Sequence, residues 1–181
     1  MSIGQGYVLV TPIQIASVYQ TIANNGVQLK PTVVDRFVTY NGKVEVNQPK
    51  FSRKLNVSPK TIKLLQNALR LPVMGSGGTA KILRIDGYPV SAKTGTAQNS
   101  GFGDNHSWIA GYFPSDKPQI VFVSVVEGGG YGGVASGEMA RVFINKYREK
   151  YVLKIKSKDK DKPQDDKNGK NNKNKTESKK S

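Results

Sequence analysis

Three β-favouring runs lie close together, at about residues 88–98, 106–113 and 119–127, and they constrain the fold more than anything else in the chain. The run Gln119-Ile120-Val121-Phe122-Val123-Ser124-Val125-Val126 is the most strand-like of all, being rich in β-branched side chains. The break before it, Pro114-Ser115-Asp116-Lys117-Pro118, is short and turn-forming, so the second and third runs should pair antiparallel. Helical patterns flank this block. Ile15, Val18, Tyr19 and Ile22 fall at helical spacing, with Ala16 and Ala23 small enough for close packing. Thr11 is a natural N-cap, Pro12 suits the first turn, and Asn24-Asn25-Gly26 supplies a stop. Ser58-Pro59 opens a second helix with a stripe of Ile62, Leu65, Leu69 and Met74. A closing helix offers Ala135, Met139, Val142, Phe143 and Tyr147 as an apolar face for the sheet. Between the first two helices, Asn41-Gly42 joins residues 33–40 to Lys43-Val44-Glu45-Val46 as a hairpin. The expected class is α+β, an antiparallel sheet with helices packed on it.

One of the three runs carries chemistry. In Val90-Ser91-Ala92-Lys93-Thr94-Gly95-Thr96-Ala97-Gln98, alternation on a strand puts Thr94 and Thr96 on one face and Lys93 and Gly95 on the other or along the rim. Two hydroxyls beside an ammonium suit a carboxylate, because charge-assisted hydrogen bonds are the strong ones. A glycine inside a strand costs stability and often marks the close approach of a ligand or another backbone. An ordinary exposed edge strand is the competing reading.

Composition closes off several classes. The chain has 181 residues, enough for one domain with a real core. It has no cysteine and one histidine, which removes disulfides, thiolate metal sites and multi-histidine metal sites. Residues 154–181 hold 11 lysines and 5 acids with almost no large apolar side chain, so a disordered tail of net charge +6 is expected. The body, residues 1–153, has 17 basic and 8 acidic residues, or +9, and suits an acidic partner. Its lysines are scattered and no nucleic-acid motif is present, so no nucleic acid is expected. The loop Gly75-Ser76-Gly77-Gly78-Thr79-Ala80 lacks the lysine and hydroxyl ending of a phosphate loop, which argues against nucleotide binding; it reads as a flexible connector or a groove rim. His106 reads as structural rather than as a base, and Trp108 as core. Neither an export signal nor an apolar run long enough to span a bilayer is visible.

The segment Lys93-Thr94-Gly95-Thr96 resembles the K-T-G element of penicillin-binding proteins and class A β-lactamases. The opening Ser2-Ile3-Gly4-Gln5-Gly6, with Thr11-Pro12-Ile13-Gln14-Ile15-Ala16, resembles the G-Q-G and T-P-x-Q-x-A signature of class B penicillin-binding proteins. His106-Ser107-Trp108-Ile109-Ala110-Gly111-Tyr112-Phe113-Pro114 resembles the strand that follows K-T-G-T in the same family. Gly78-Thr79-Ala80 is similar to the loop that precedes it. Residues 2 to 150 therefore resemble the C-terminal part of an elongation-type D,D-transpeptidase.

The resemblance implies serine acyl transfer with no cofactor and no metal. It makes peptidoglycan stem peptides and β-lactams the ligands of the complete protein, with cell-wall elongation proteins as further partners. It places that protein at the periplasmic face of the inner membrane. It makes Lys93, Thr94, Gly95 and Thr96 substrate-binding, with the Thr96 N–H as one oxyanion donor, and it leaves Gln5 and His106 without a catalytic part. The nucleophile of such enzymes sits in S-x-x-K, and an S-x-N loop relays protons. The one S-x-x-K here is Ser157-Lys158-Asp159-Lys160 in the lysine-rich tail, and there is no S-x-N, so no catalytic residue is assigned in this chain. Two readings follow: a C-terminal fragment of a transpeptidase, or a non-catalytic remnant or accessory binding module. Either should expose an apolar face larger than the few hundred square ångströms usual for a monomer.

Overall fold

A computed structural model describes residues 4, 6–98 and 104–153. Gln5 and the tail from 154 onward, including Ser157 and Lys160, lie outside the described residues. The described residues divide into two units, one up to Asn145 and one from Lys146 to Leu153. In the second, Lys146 pairs with Glu149 at 3.0 Å and the rings of Tyr147 and Tyr151 pack 4.9 Å apart.

The first unit is built on an antiparallel sheet of β5 (Ser91–Ala97), β6 (His106–Phe113) and β7 (Ile120–Val126) in that order. All three expected strands form, each within a few residues of the expected limits. Helix α1 (Pro12–Ala23) packs against β6 and β7. Its start is a full capping box, in which Thr11 accepts from the Gln14 N–H and the Gln14 side chain accepts from the Thr11 N–H. Its end turns through Asn25 and Gly26, at φ of 53° and 87°.

Strand β6 explains the two-sided packing. Ser107 hydrogen-bonds Ser136 of α4 (Ala135–Tyr147) at 2.8 Å, and the rings of Phe113 and Phe143 lie 6.1 Å apart. Odd positions of β6 therefore face α4 and even positions face α1. Six of its eight residues are buried, which a strand covered on one face only would not show. Register carries the same parity into β5: Thr94 lies opposite Ile109 and Thr96 opposite Ser107, so both threonines are on the α4 face.

The closing helix departs from expectation. Its buried residues are Ser136, Gly137, Ala140 and Ile144, whereas Met139, Val142 and Phe143 stay largely exposed. Small residues decide this. Gly137 sits so close to Ile82 that an added Cβ would lie 2.8 Å from its Cγ2. The wider row that looks more hydrophobic leaves an apolar groove of about 300 Å³ between β7 and α4. Trp108 is half-buried rather than core.

The remaining elements form a β-rich excursion. Strands β2 (Arg36–Val38) and β3 (Val44–Val46) make the expected hairpin, with Gly42 at φ of 79°. Strands β1 (Val27–Leu29) and β4 (Phe51–Lys54) pair antiparallel across it, a ladder the short runs did not announce. Helix α2 (Pro59–Ala68) is capped by Ser58 as expected, but only Ile62 of its stripe is buried. The pattern breaks before Met74, which belongs to a separate turn, α3 (Leu71–Met74), beside β5.

Exposed apolar side chains are abundant, among them Leu9, Ile13, Val18, Leu64, Leu71 and Val142. The purified chain is expected to bind an environment-sensitive dye such as ANS strongly and to melt broadly. A sharp two-state melt without dye binding would contradict this. A second expectation concerns Tyr19, whose hydroxyl is pushed up to about 12 by burial, with Tyr112 adding repulsion. A raised folded value stabilises the fold below the unfolded value of about 10, and that contribution is lost as pH rises from about 10 to about 12. Tyrosinate absorbance of the chain minus that of Tyr19→Phe should therefore titrate near the upper figure; a difference curve centred near 10 would refute it.

Candidate functional site: the outer edge of β5

The site is the side of β5 that β6 does not occupy. The backbone N–H of Ala92 donates to the Leu69 carbonyl at 2.9 Å, so it points away from β6. Backbone groups of a strand alternate sides with the residue. Those of Thr94 and Thr96 therefore also turn outward. The Lys93 ammonium agrees with this parity, since it donates to the Thr94 carbonyl at 2.8 Å. Lys93, Gly95 and Thr96 are exposed, and Thr94 is half-buried.

All four residues singled out in the sequence come together here, and the hydroxyls are not loose. The Thr94 hydroxyl donates to that of Thr79 at 2.8 Å, while Lys93 Nζ lies 3.3 Å from Thr94 Oγ1. Lys93 starts on the opposite face and curls round the strand edge to reach it. The Thr96 hydroxyl accepts from the Gly132 N–H at 2.8 Å and keeps its own proton to donate.

The partners of these hydroxyls come from two glycine-rich loops. Gly78 packs so tightly on the Pro72 carbonyl that no Cβ would fit, and this fixes the loop that presents Thr79. The loop after β7 is tied down at several points. Gly128 N–H donates to His106 Nδ1 at 3.1 Å, Gly130 N–H donates to the Asn105 carbonyl at 2.8 Å, and Gly132 reaches Thr96. A Cβ on Gly132 would collide with the Gly95 carbonyl, and one on Gly133 would come within 2.6 Å of Thr94 Cγ2. The glycines let this loop lie directly against the threonine face. His106 is thus an anchor for the loop, in keeping with its reading as structural.

The sequence offered the loop carrying Thr79 as a possible groove rim, but neither the bond from Thr94 to Thr79 nor the contact of Gly132 with Thr96 was foreseen. The glycine runs were visible, but nothing in them says which strand they touch. Among the described residues, no group of three or more His, Asp or Glu side chains lies together to hold a metal ion.

Comparison with known proteins agrees with this geometry. The penicillin-binding protein transpeptidase domain family matches residues 1–145. Penicillin-binding protein H of Bacillus subtilis is 34% identical over 70% of this chain and 19% of its own length. Peptidoglycan D,D-transpeptidase PbpA of Mycolicibacterium smegmatis is 30% identical over 79% of this chain and 30% of its own. Among solved structures, the D,D-transpeptidase domain of a peptidoglycan glycosyltransferase from Eggerthella lenta superposes with a TM-score of 0.69 at 30% identity, over 80% of this chain and 33% of that one. Penicillin-binding protein A of M. tuberculosis, solved as an imipenem acyl-enzyme complex, gives 0.67 at 26% identity, over 80% and 32%. The chain thus spans from about a fifth to a third of the proteins it matches. With the ordered motifs, the sheet and the family match in agreement, this chain belongs to the penicillin-binding protein transpeptidase domain family.

Proposed function

We propose that this chain supplies one wall of a penicillin-binding transpeptidase groove, the wall formed by Lys93, Thr94, Gly95 and Thr96. The observation that carries the reading is the outward-facing edge of β5, with its exposed ammonium and its Thr96 hydroxyl still able to donate. In acyl transfer, a stem-peptide or β-lactam carboxylate would be met by Thr96 and by the Lys93–Thr94–Thr79 chain of hydrogen bonds. The outward Thr96 N–H would be one donor to the tetrahedral oxyanion, a contact worth roughly 10²–10³ in rate. Gly95 keeps side-chain bulk off the face beside Trp108, next to the edge where a substrate backbone would run. The serine nucleophile and its lysine base belong to a segment outside this sequence.

The same reading puts the complete protein at the periplasmic face of the inner membrane, with cell-wall elongation proteins as partners. Among the described residues no helix is long and apolar enough to cross a membrane. The residues from 154 onward are taken as a tail separate from the domain.

The test is labelling by a fluorescent penicillin, of the purified chain alone and mixed with a separately expressed polypeptide carrying the S-x-x-K and S-x-N elements of a close relative. Label is expected on that partner polypeptide, and only when both are present. Failure in the mixture would leave a non-catalytic binding module as the reading. In the productive mixture, Thr79→Val should slow labelling about tenfold, the equivalent of one hydrogen bond to a charged network. An unchanged rate would remove Thr79 from the site.

A further inference from the structure

The loop from β7 into α4 carries five glycines in residues 128–133, and three of them, Gly128, Gly130 and Gly133, sit at φ of 62°, 73° and 93°. Such a run has little shape of its own and loses much conformational entropy when ordered, so its place over β5 depends on what ties it down. It leaves the end of β7, passes the opening of β6 and reaches β5, following the order of the sheet itself. His106 stands at the crossing. It opens β6, pairs with Ala97 beside Thr96, and its Nδ1 accepts from the Gly128 N–H at 3.1 Å. The Asn105 carbonyl takes the Gly130 N–H at 2.8 Å further along the loop. A main-chain N–H can only donate, so Nδ1 is unprotonated in this arrangement and the ring proton is on Nε2. At the far end, the Gly132 N–H donates to Thr96 Oγ1 at 2.8 Å, and a Cβ on Gly132 would overlap the Gly95 carbonyl.

We propose that His106 is a positioning residue for acyl transfer at the β5 edge, holding the 128–133 loop so that the Gly132 N–H orients the Thr96 hydroxyl; the inference rests on the groove reading above. The physical link is the acceptor capacity of Thr96 Oγ1. With one lone pair taken by Gly132, the hydroxyl hydrogen is directed away from the loop and is free to meet a carboxylate. Released from the loop, the hydroxyl rotates and exchanges partners with water, and that freedom has to be lost again in each productive encounter. His106 acts on the loop and not on the ligand, through the main chain between Gly128 and Gly132. An acceptor at the position of Nδ1 is therefore what the loop requires, and the ring itself is dispensable. Asparagine supplies such an acceptor, its Oδ1 being bonded to Cγ as Nδ1 is; phenylalanine keeps a ring and supplies none.

Two measurements on the full chain test this, each comparing wild type with His106→Phe and His106→Asn, with circular dichroism to show that each variant keeps the fold. The first is amide hydrogen exchange at Gly132, read by NMR on the chain alone. Exchange is expected to be about fivefold faster in His106→Phe, the equivalent of one neutral hydrogen bond, and within about twofold of wild type in His106→Asn. The second is the rate of fluorescent-penicillin labelling in the mixture with the S-x-x-K polypeptide. His106→Phe should slow it about fivefold, and His106→Asn should restore most of the rate. In a Thr96→Val background, His106→Phe should change the rate by less than about twofold, because the hydroxyl through which the tether acts is gone. Equal slowing by both His106 variants would assign the effect to ring packing and overturn the proposal. So would an undiminished loss in the Thr96→Val background, or exchange at Gly132 that His106→Phe leaves unmoved. Failure of the wild-type mixture to label would strike the groove reading and this inference with it, whereas labelling that is indifferent to His106→Phe would strike this inference alone.

Discussion

The fold depends on how closely helix α4 can approach strand β6. Ser107 and Ser136 share a buried hydrogen bond, and the small Ala140 is buried one turn further along the helix, while Gly137 lets the same helix close on Ile82. Larger residues there would lift the helix and open the α4 face of the sheet. The loop that feeds α4 could then no longer lie on Thr94 and Thr96. A contact between small residues thereby sets the height of the loop over the site. The same logic holds between β5 and β6, where a Cβ on Gly111 would come within 2.7 Å of Ala92 Cβ.

The candidate site also shows how an edge strand is stiffened without being covered. Its hydroxyls are oriented by groups behind the strand: Thr79 from the loop before it and Gly132 from the loop after β7. Orientation set in advance in this way lowers the entropy that ordering would cost when a ligand arrives. Lys93 is held by acceptors of its neighbour Thr94, so its charge stays at the edge instead of sweeping through solvent.

Much of this was legible in the residues alone. Strand alternation placed Thr94 and Thr96 on one face, and the caps Thr11 and Ser58 marked two helix starts to the residue. What was not legible depended on distance in the chain. The apolar stripe of α4 pointed to Met139 and Val142, but the face that packs is the one with the small residues. A hydrophobic pattern records how greasy a face is and says little about how near a neighbour can come. Strands β1 and β4 are three and four residues long and lie 21 residues apart, too short for alternation to show. Thr79 and Gly132 lie 15 and 36 residues from the threonines they bond, and no local rule connects them.

The cap that Leu69 places on Ala92 has a further consequence, for solubility. An uncovered strand edge is a template for pairing with other chains, and proteins protect such edges with charge and shortness. Among the described residues of β5, the outward N–H groups beyond this cap are those of Thr94 and Thr96, an open stretch of about 7 Å at the usual rise per residue. An ammonium group stands over its first carbonyl. Two residues hold a stray strand in register poorly, so this short, charged edge is a weak template for cross-β growth. The open edge is therefore short enough to be safe in a crowded compartment and long enough to seat a single extended residue.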